Sequence, residues 1–325
     1  VLCLGQAKGD FLAMSFANLI QSARGFLRAG ISGTRALACR FVRWCRPEDY
    51  VRVVIYGLHS EDWMTALGPG SEAWRAVPGV YEVLQVAEGQ AGSIPRETRH
   101  RTVVIPLMEP HIASCPAGYS RLIPTNQMLR TLQDKGAFAA YARSSGLVAL
   151  CPETYAGPGQ AVYPCVLKRL DLNNCDGVRL VTSEEQCREC LEQEPWRGHA
   201  YLLQEYVASD DDRCTHCVCV DGQIVWHCSY VYSPAPKNIQ ERYAQTLQRV
   251  TEPASRVADF QALLAPLRYS GPCNIDYRIR ANGRVTVLEI NPRLGGSFMR
   301  PANRDDLKSA LATILKHARS SGAHR

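Results

Sequence analysis

Asp276, Glu289 and Asn291 lie in the stretch GPCNIDYRIRANGRVTVLEINPRLGGS, separated by thirteen and then two residues. Two apolar runs joined by Asn282-Gly283 read as a β-hairpin, which sets Asp276 opposite the end of the second run. Alternate side chains of a strand share a face, so Glu289 and Asn291 point the same way. Two carboxylates and an amide oxygen on one face are hard oxygen ligands, suited to Mg²⁺ that bridges phosphate oxygens. Arg293 follows two residues later, where its guanidinium can neutralise charge on a transferring phosphoryl group. The bland alternative is an acidic strand face paired with nearby arginines. An apolar strand ending in E-x-N-P-R-x-G-G is an inefficient way to make that pairing.

The elements that must position these groups are legible upstream. Thr125 can cap one helix over 126–145, stopped by Gly146. Strands are expected over 163–168 and 178–182, joined by the polar turn LDLNNCDG, and Ser183 with Gln186 forms a capping box for the next helix. Five more strand candidates span 201–207, 213–220, 223–232, 273–280 and 284–290, with Asp221-Gly222 and Asn282-Gly283 as hairpin turns. Helices are expected over 254–264 and 305–319. This C-terminal part reads as antiparallel-rich α+β. Before it, apolar runs at 50–57, 80–86 and 102–107 alternate with helix-compatible segments, which reads as a small α/β unit with a mostly parallel sheet. Gly57, Gly68 and Gly70 lack G-x-G-x-x-G spacing, so a dinucleotide site there has weak support.

The order acid, hairpin, E-x-N resembles the ATP-grasp superfamily. Its spacing is similar to that of D-alanine:D-alanine ligases, and its N-P-R continuation to the carboxylase and carbamoyl-phosphate-forming branches. The resemblance covers most of residues 120–300. It implies an α/β chain in which an ATP-grasp fold (125–325, lid at about 150–205) follows a small Rossmann-like domain (48–124) and a basic extension (1–47). It also implies that Lys135 meets the triphosphate, that Lys168 grips the α- and β-phosphates, and that the backbone of Gln204, Glu205, Tyr206 and Val207 reads adenine. Asp212 falls where the family accepts the ribose hydroxyls, with Asp210 and Asp211 as neighbours in the same turn. Where the family has a glycine-rich loop, LDLNNCDG offers only Gly177, although Asn173, Asn174 and Asp176 tolerate left-handed backbone. Asn274 stands where D-alanine-type ligases carry an arginine; Arg293 or Arg278 could supply that charge. Tyr232, Lys237 and Arg300 are candidates for the substrate pocket.

The resemblance thus implies an ATP- and Mg²⁺-dependent ligase, with Mn²⁺ as a substitute ion. Arg293 and Lys168 would be its catalytic cations, and a small carboxylate and an amine its substrates. A nucleotide-binding scaffold of the same fold without turnover is the alternative, and a dinucleotide oxidoreductase built on the first α/β unit is a third. A homodimer is compatible with the family.

Composition bounds these readings. The chain has 325 residues, 46% hydrophobic and 21% charged, which suits a globular protein of about two domains. Its net charge of +6 sits in 11–47, which holds six arginines and no acid, so the remainder is neutral and lacks the basic face that nucleic acid requires. Phe16, Leu19, Ile20 and Leu27 in that leader approach helical spacing, readable as a targeting, membrane-surface or docking helix, or as an unpacked extension. No uncharged apolar run of about 18 residues suggests a membrane span. Fourteen cysteines without a regular framework point to a reducing, cytoplasmic compartment. Cys187-x-x-Cys190, and Cys214, Cys217, Cys219 and Cys228 with His216 and His227, invite a zinc reading. Strand alternation scatters them, so they read better as small hydrophobes.

Overall fold

The computed structural model describes residues 50–322, apart from 76, 173–176 and 237–238. The leader helix, Lys237, and Asn173, Asn174 and Asp176 of the polar turn therefore lie outside the described residues. Three sheets carry the fold. The first is parallel, in the order β2-β1-β3, with β1 at Val51–Tyr56, β2 at Val80–Val86 and β3 at Thr102–Pro106. Every residue of β1 is buried, as expected for a continuous β-branched run covered on both faces. Val53 and Ile55 pack with Trp63 and Leu67, while Val54 and Tyr56 pack with Ile94 and Tyr119. Helices α1 (Glu61–Leu67) and α2 (Glu72–Arg75) connect β1 to β2, and α3 (Glu109–Ala113) follows β3. Gly57, at the end of β1, has φ +100° and lies against His111, whose Nδ1 would be 2.0 Å from an added Cβ. That glycine serves packing.

The expected helix over 126–145 is two helices, α4 (Asn126–Gln133) and α5 (Lys135–Ser144). Asp134 leaves the helical region (φ −86°, ψ 120°) and its carboxylate accepts from the Ala137 N–H at 2.6 Å. An Asp with a free first turn ahead of it is a better cap than a helix-interior residue, so Lys135 opens a helix instead of continuing one. Thr125 caps α4 as expected, through the Met128 N–H.

The second sheet is antiparallel, ordered β4-β7-β5-β6, with β4 at Thr154–Tyr155, β5 at Cys165–Arg169, β6 at Val178–Val181 and β7 at Tyr201–Glu205. Cys165, Leu167, Val181 and Leu203 bury one face against Cys187 and Cys190 of α6 (Glu184–Glu192) and Trp196. The register pairs Val166 with Gln204 and Lys168 with Leu202, placing these four on the opposite face. The capping box at α6 is offset: Ser183 Oγ accepts from Gln186 N–H, and Gln186 Oε1 reaches back to the Thr182 N–H at 2.7 Å.

The third sheet is antiparallel, ordered β10-β9-β8-β11-β12: β8 Asp212–Val220, β9 Gln223–Tyr232, β10 Gln248–Val250, β11 Gly271–Ile279 and β12 Val285–Asn291. The remaining helices are α7 (Ile239–Ala244), α8 (Ala254–Leu264) and α9 (Arg304–Gly322). One face of the sheet sends Cys217, Cys273, Ile275, Tyr277, Val287 and Ile290 onto Phe260, Leu263 and Leu264 of α8. The other sends Cys214, Val218, Tyr230 and Tyr232 toward the first sheet and Leu307, Leu311 and Ile314 of α9.

The cysteines follow this alternation. Cys217, Cys219 and Cys273 share the α8 face, and Cys214 and Cys228 lie on the other. All described cysteines are free, and among the described residues no group of three or more His, Cys, Asp or Glu side chains is arranged to hold a metal. A hydrogen bond with Cys273, together with burial, pushes the Cys219 thiol well up, and one with Cys217, together with burial, does the same to the Cys273 thiol. No helix among the described residues is long and apolar enough to cross a membrane.

Both hairpin turns form. Asp221 and Gly222 have φ of 50° and 81°, as a two-residue turn of the primed type requires. At the second, Gly283 alone is left-handed, and its N–H bonds to the Arg280 carbonyl at 2.8 Å. A Cβ at Gly222 would lie 2.7 Å from the Cα of Ala265, a backbone atom that cannot step aside. Gly222→Ala combines left-handed strain of about 1–2 kcal/mol with that clash. The expected outcome is a loss of at least this amount in urea unfolding.

Candidate functional site

A β-bulge sets the phase of the acidic face. Asp276 pairs with Glu289 but Tyr277 pairs with Val287, so Leu288 is extra. Strict alternation from Val285 would put Glu289 on the buried face with Val287. The extra residue instead lets Val285, Val287 and Ile290 all face α8, while Glu289 and Asn291 turn toward Asp276 and Asn274. The structure therefore brings Asp276, Glu289 and Asn291 together. Asn274 Nδ2 and Asn291 Nδ2 donate to Asp276 Oδ2 at 3.1 and 3.3 Å. Glu289 is exposed and makes no hydrogen bond or ion pair among the described residues. Two carboxylates with an amide oxygen fit a hard divalent cation.

No motif marks the cation found beside them. Arg242, on α7, donates to Asp276 Oδ1 at 2.7 Å and lies 4.5 Å over the Tyr232 ring. Burial works against its charge, and Asp276 more than offsets this, holding the guanidinium protonated. Arg300 braces the same segment: it donates to the carbonyls of Arg242, at 2.5 Å, and Gln245, and sits 5.7 Å from the Tyr232 ring. Tyr232 and Arg300 thus position Arg242. A six-residue helix with one arginine at the right turn has no motif that periodicity could have found.

Behind the acidic face, His216 lies opposite Asn274 on the neighbouring strand. Its ring stacks on Phe298 (3.7 Å between centroids, 24° between planes), and Nε2 is 2.6 Å from Ser297 Oγ. The segment Leu294-Gly295-Gly296 passes so close that a Cβ at Gly295 would be 2.4 Å from the imidazole and 2.9 Å from Asn274 Cγ. Asn274 Oδ1 and His216 Nδ1 are buried without partners. Arg293 turns away from this cluster: Nε donates to Glu109 of α3 at 2.9 Å, and Nη1 to the Leu294 carbonyl at 3.0 Å.

The residues expected to hold a nucleotide are distributed along the second sheet and its junction with the third. Lys168 lies on the face turned from α6, near Cys151, which belongs to the core under the third sheet. Burial pushes the Cys151 thiol up to about 12 against the opposing pull of Lys168. Lys135 Nζ donates to the Leu172 carbonyl at 2.8 Å, so it holds the entrance of the polar turn. Gln204 shares the Lys168 face and is buried, its Oε1 unpartnered. The Glu205 carboxylate is engaged by Arg280 and by the Glu153 N–H, and Arg280 holds it below the usual carboxylate range. Arg278 donates to the Val207 carbonyl and to Asp212, both at 2.7 Å, and lies 5.7 Å from the Tyr206 ring. Asp211 pairs with Arg213 instead.

No protein-family model and no curated protein matches the chain. Solved structures do match. A D-alanine–D-alanine ligase from Bacillus anthracis complexed with ATP is 15% identical, with TM-score 0.58 over 84% of this chain and 98% of that one. A biotin carboxylase from Campylobacter jejuni is 12% identical, with TM-score 0.57 over 84% and 72%. An L-amino acid ligase from Bacillus licheniformis is 14% identical, with TM-score 0.52 over 85% and 77%. The chain has the ATP-grasp fold that its sequence resembles.

Burial of His216, with Arg293 and Arg242 nearby, pushes its pKa down to about 3. The folded state therefore binds fewer protons than the unfolded chain below the ordinary histidine pKa, and the site's contribution is present above it and lost as pH falls. Stability against urea should fall between pH 6.5 and 4.5, by on the order of 2 kcal/mol in all on this account. His216→Asn should flatten that slope.

Proposed function

We propose that the protein is an ATP- and magnesium-dependent ligase that activates a small carboxylate for attack by an amine. The convergence of Asp276, Glu289 and Asn291 on one face of the third sheet carries this reading, supported by the ATP-grasp fold. ATP would lie between that sheet and the Lys168 face of the second. Its adenine would meet Gln204 and the backbone of Glu205, Tyr206 and Val207, and Asp212 would meet its ribose. Lys168 would hold the α- and β-phosphates, with Lys135 fixing the polar turn beside them. Asp276, Glu289 and Asn291 would hold Mg²⁺, or Mn²⁺, which when bound neutralises the phosphate oxygens.

A guanidinium and a divalent cation cannot share one carboxylate without repulsion. Arg242 would therefore leave Asp276 as the metal enters, its charge then free to face the transferring phosphoryl group. Such a site works mainly by positioning and charge stabilisation. The substrate carboxylate oxygen attacks the γ-phosphorus and ADP departs. The amine then displaces phosphate from the acyl phosphate, giving an amide and losing a proton. Arg293, held by Glu109, would anchor the loop against the first sheet, a positioning part in place of the direct one its sequence position suggested.

The second reading, an ATP-binding scaffold without turnover, is favoured by Arg242 already seated on Asp276 and by the Val207 carbonyl already taken by Arg278. A panel of amino acids and small carboxylic acids with Mg-ATP separates the two. Acid-dependent phosphate and ADP release supports the ligase, whereas thermal stabilisation by ATP without release supports the scaffold. Glu289 is exposed, so Glu289→Ala should leave stability within about 0.5 kcal/mol while abolishing turnover; normal ADP release by that variant would refute the site.

A further inference from the structure

At the opposite end of β11 from Asp276, the turn before β3, the end of α3, the segment 115–124, the start of α4 and the end of α9 line an open cavity of about 1030 Å³. Ser270, just before β11, lines it, and six residues at about 3.3 Å each put Asp276 roughly 20 Å away. The cavity is therefore separate from the nucleotide site. Arg99, His100, Arg121 and Arg319 line it and, among the described residues, no Asp or Glu does.

Two of its guanidinium groups are preset. Arg121 Nη1 donates to the carbonyls of Cys115 and Pro116 at 2.9 and 3.1 Å. Arg99 lies 5.0 Å over the Tyr119 ring and hard against Gly118, where a Cβ would be 2.8 Å from its Cζ. Gly118 has φ +80°, so both its backbone conformation and the close approach call for glycine. Thr125 and Asn126, at the start of α4, add polar groups to the same wall. Side chains held open by carbonyls and a ring, facing space without acid, form a site for an anion, and fixed guanidinium forks match phosphate geometry. The volume suits a metabolite-sized molecule, and the neutral charge of residues 48–325 argues against a nucleic-acid polymer. We infer that this cavity binds a small phosphate-bearing ligand at a second site.

Calorimetric titration of the full chain with sodium pyrophosphate, without Mg²⁺, tests the inference. Wild type, Lys168→Ala and the double charge reversal Arg99→Glu/Arg319→Glu are compared, the latter two positions being exposed. Saturable binding that persists in Lys168→Ala and weakens at least tenfold in the double variant is expected. Undiminished binding by the double variant, loss in Lys168→Ala, or no binding by wild type would overturn it. Citrate binding as tightly as pyrophosphate would overturn the assignment to phosphate.

Discussion

The constraint on which the site depends is one unpaired residue, Leu288. A strand that buries Val285 and Val287 has no freedom to point Glu289 elsewhere unless its alternation slips once. The slip is fixed from both sides, since Ile290 must return to the core beside Ile275. The hydrophobic requirement of the α8 face thus sets the orientation of the acidic residues on the other.

Charge then links the parts that backbone pairing leaves separate. From the hairpin β11–β12 and the segment after it, Arg278 reaches Asp212 and Val207, Arg280 reaches Glu205, and Arg293 reaches Glu109. Arg278 and Arg280 both tie the end of β7 to this hairpin, and Arg293 ties α3 to it. These side chains are only partly exposed, so their pairing is less screened than that of surface charges. The arginines that sequence reasoning assigned to chemistry are thereby occupied in holding geometry, and the one that touches Asp276 comes from a short helix elsewhere.

Much of this was legible because it is local or periodic. Continuous β-branched runs marked the parallel strands, Asp221-Gly222 and Asn282-Gly283 marked the hairpins, and the residues 254–264 were correctly read as a helix. The closeness of Asp276, Glu289 and Asn291 was legible because a hairpin fixes their distance in space from their distance in sequence. What escaped depends on contacts between distant segments or on competing local choices. Asp134 could stay within a helix or cap a new one, and nothing periodic distinguishes the two. Arg242 meets Asp276 across 34 residues, and the partnering of Glu205 with Arg280 across 75. Gly295 reads as loop glycine, yet it is required because an imidazole occupies the volume a side chain would take.

The crowded thiols of the third sheet have a consequence for handling the molecule. Folded, Cys217, Cys219 and Cys273 are sheltered and protonated, chemically silent beside one another. Denaturation releases them, with the other free cysteines, to ordinary acidity near 8.5, where dissolved oxygen can join them in non-native pairs. Recovery from heat or urea would then be limited by scrambling, and reversibility would belong to solutions kept under reductant.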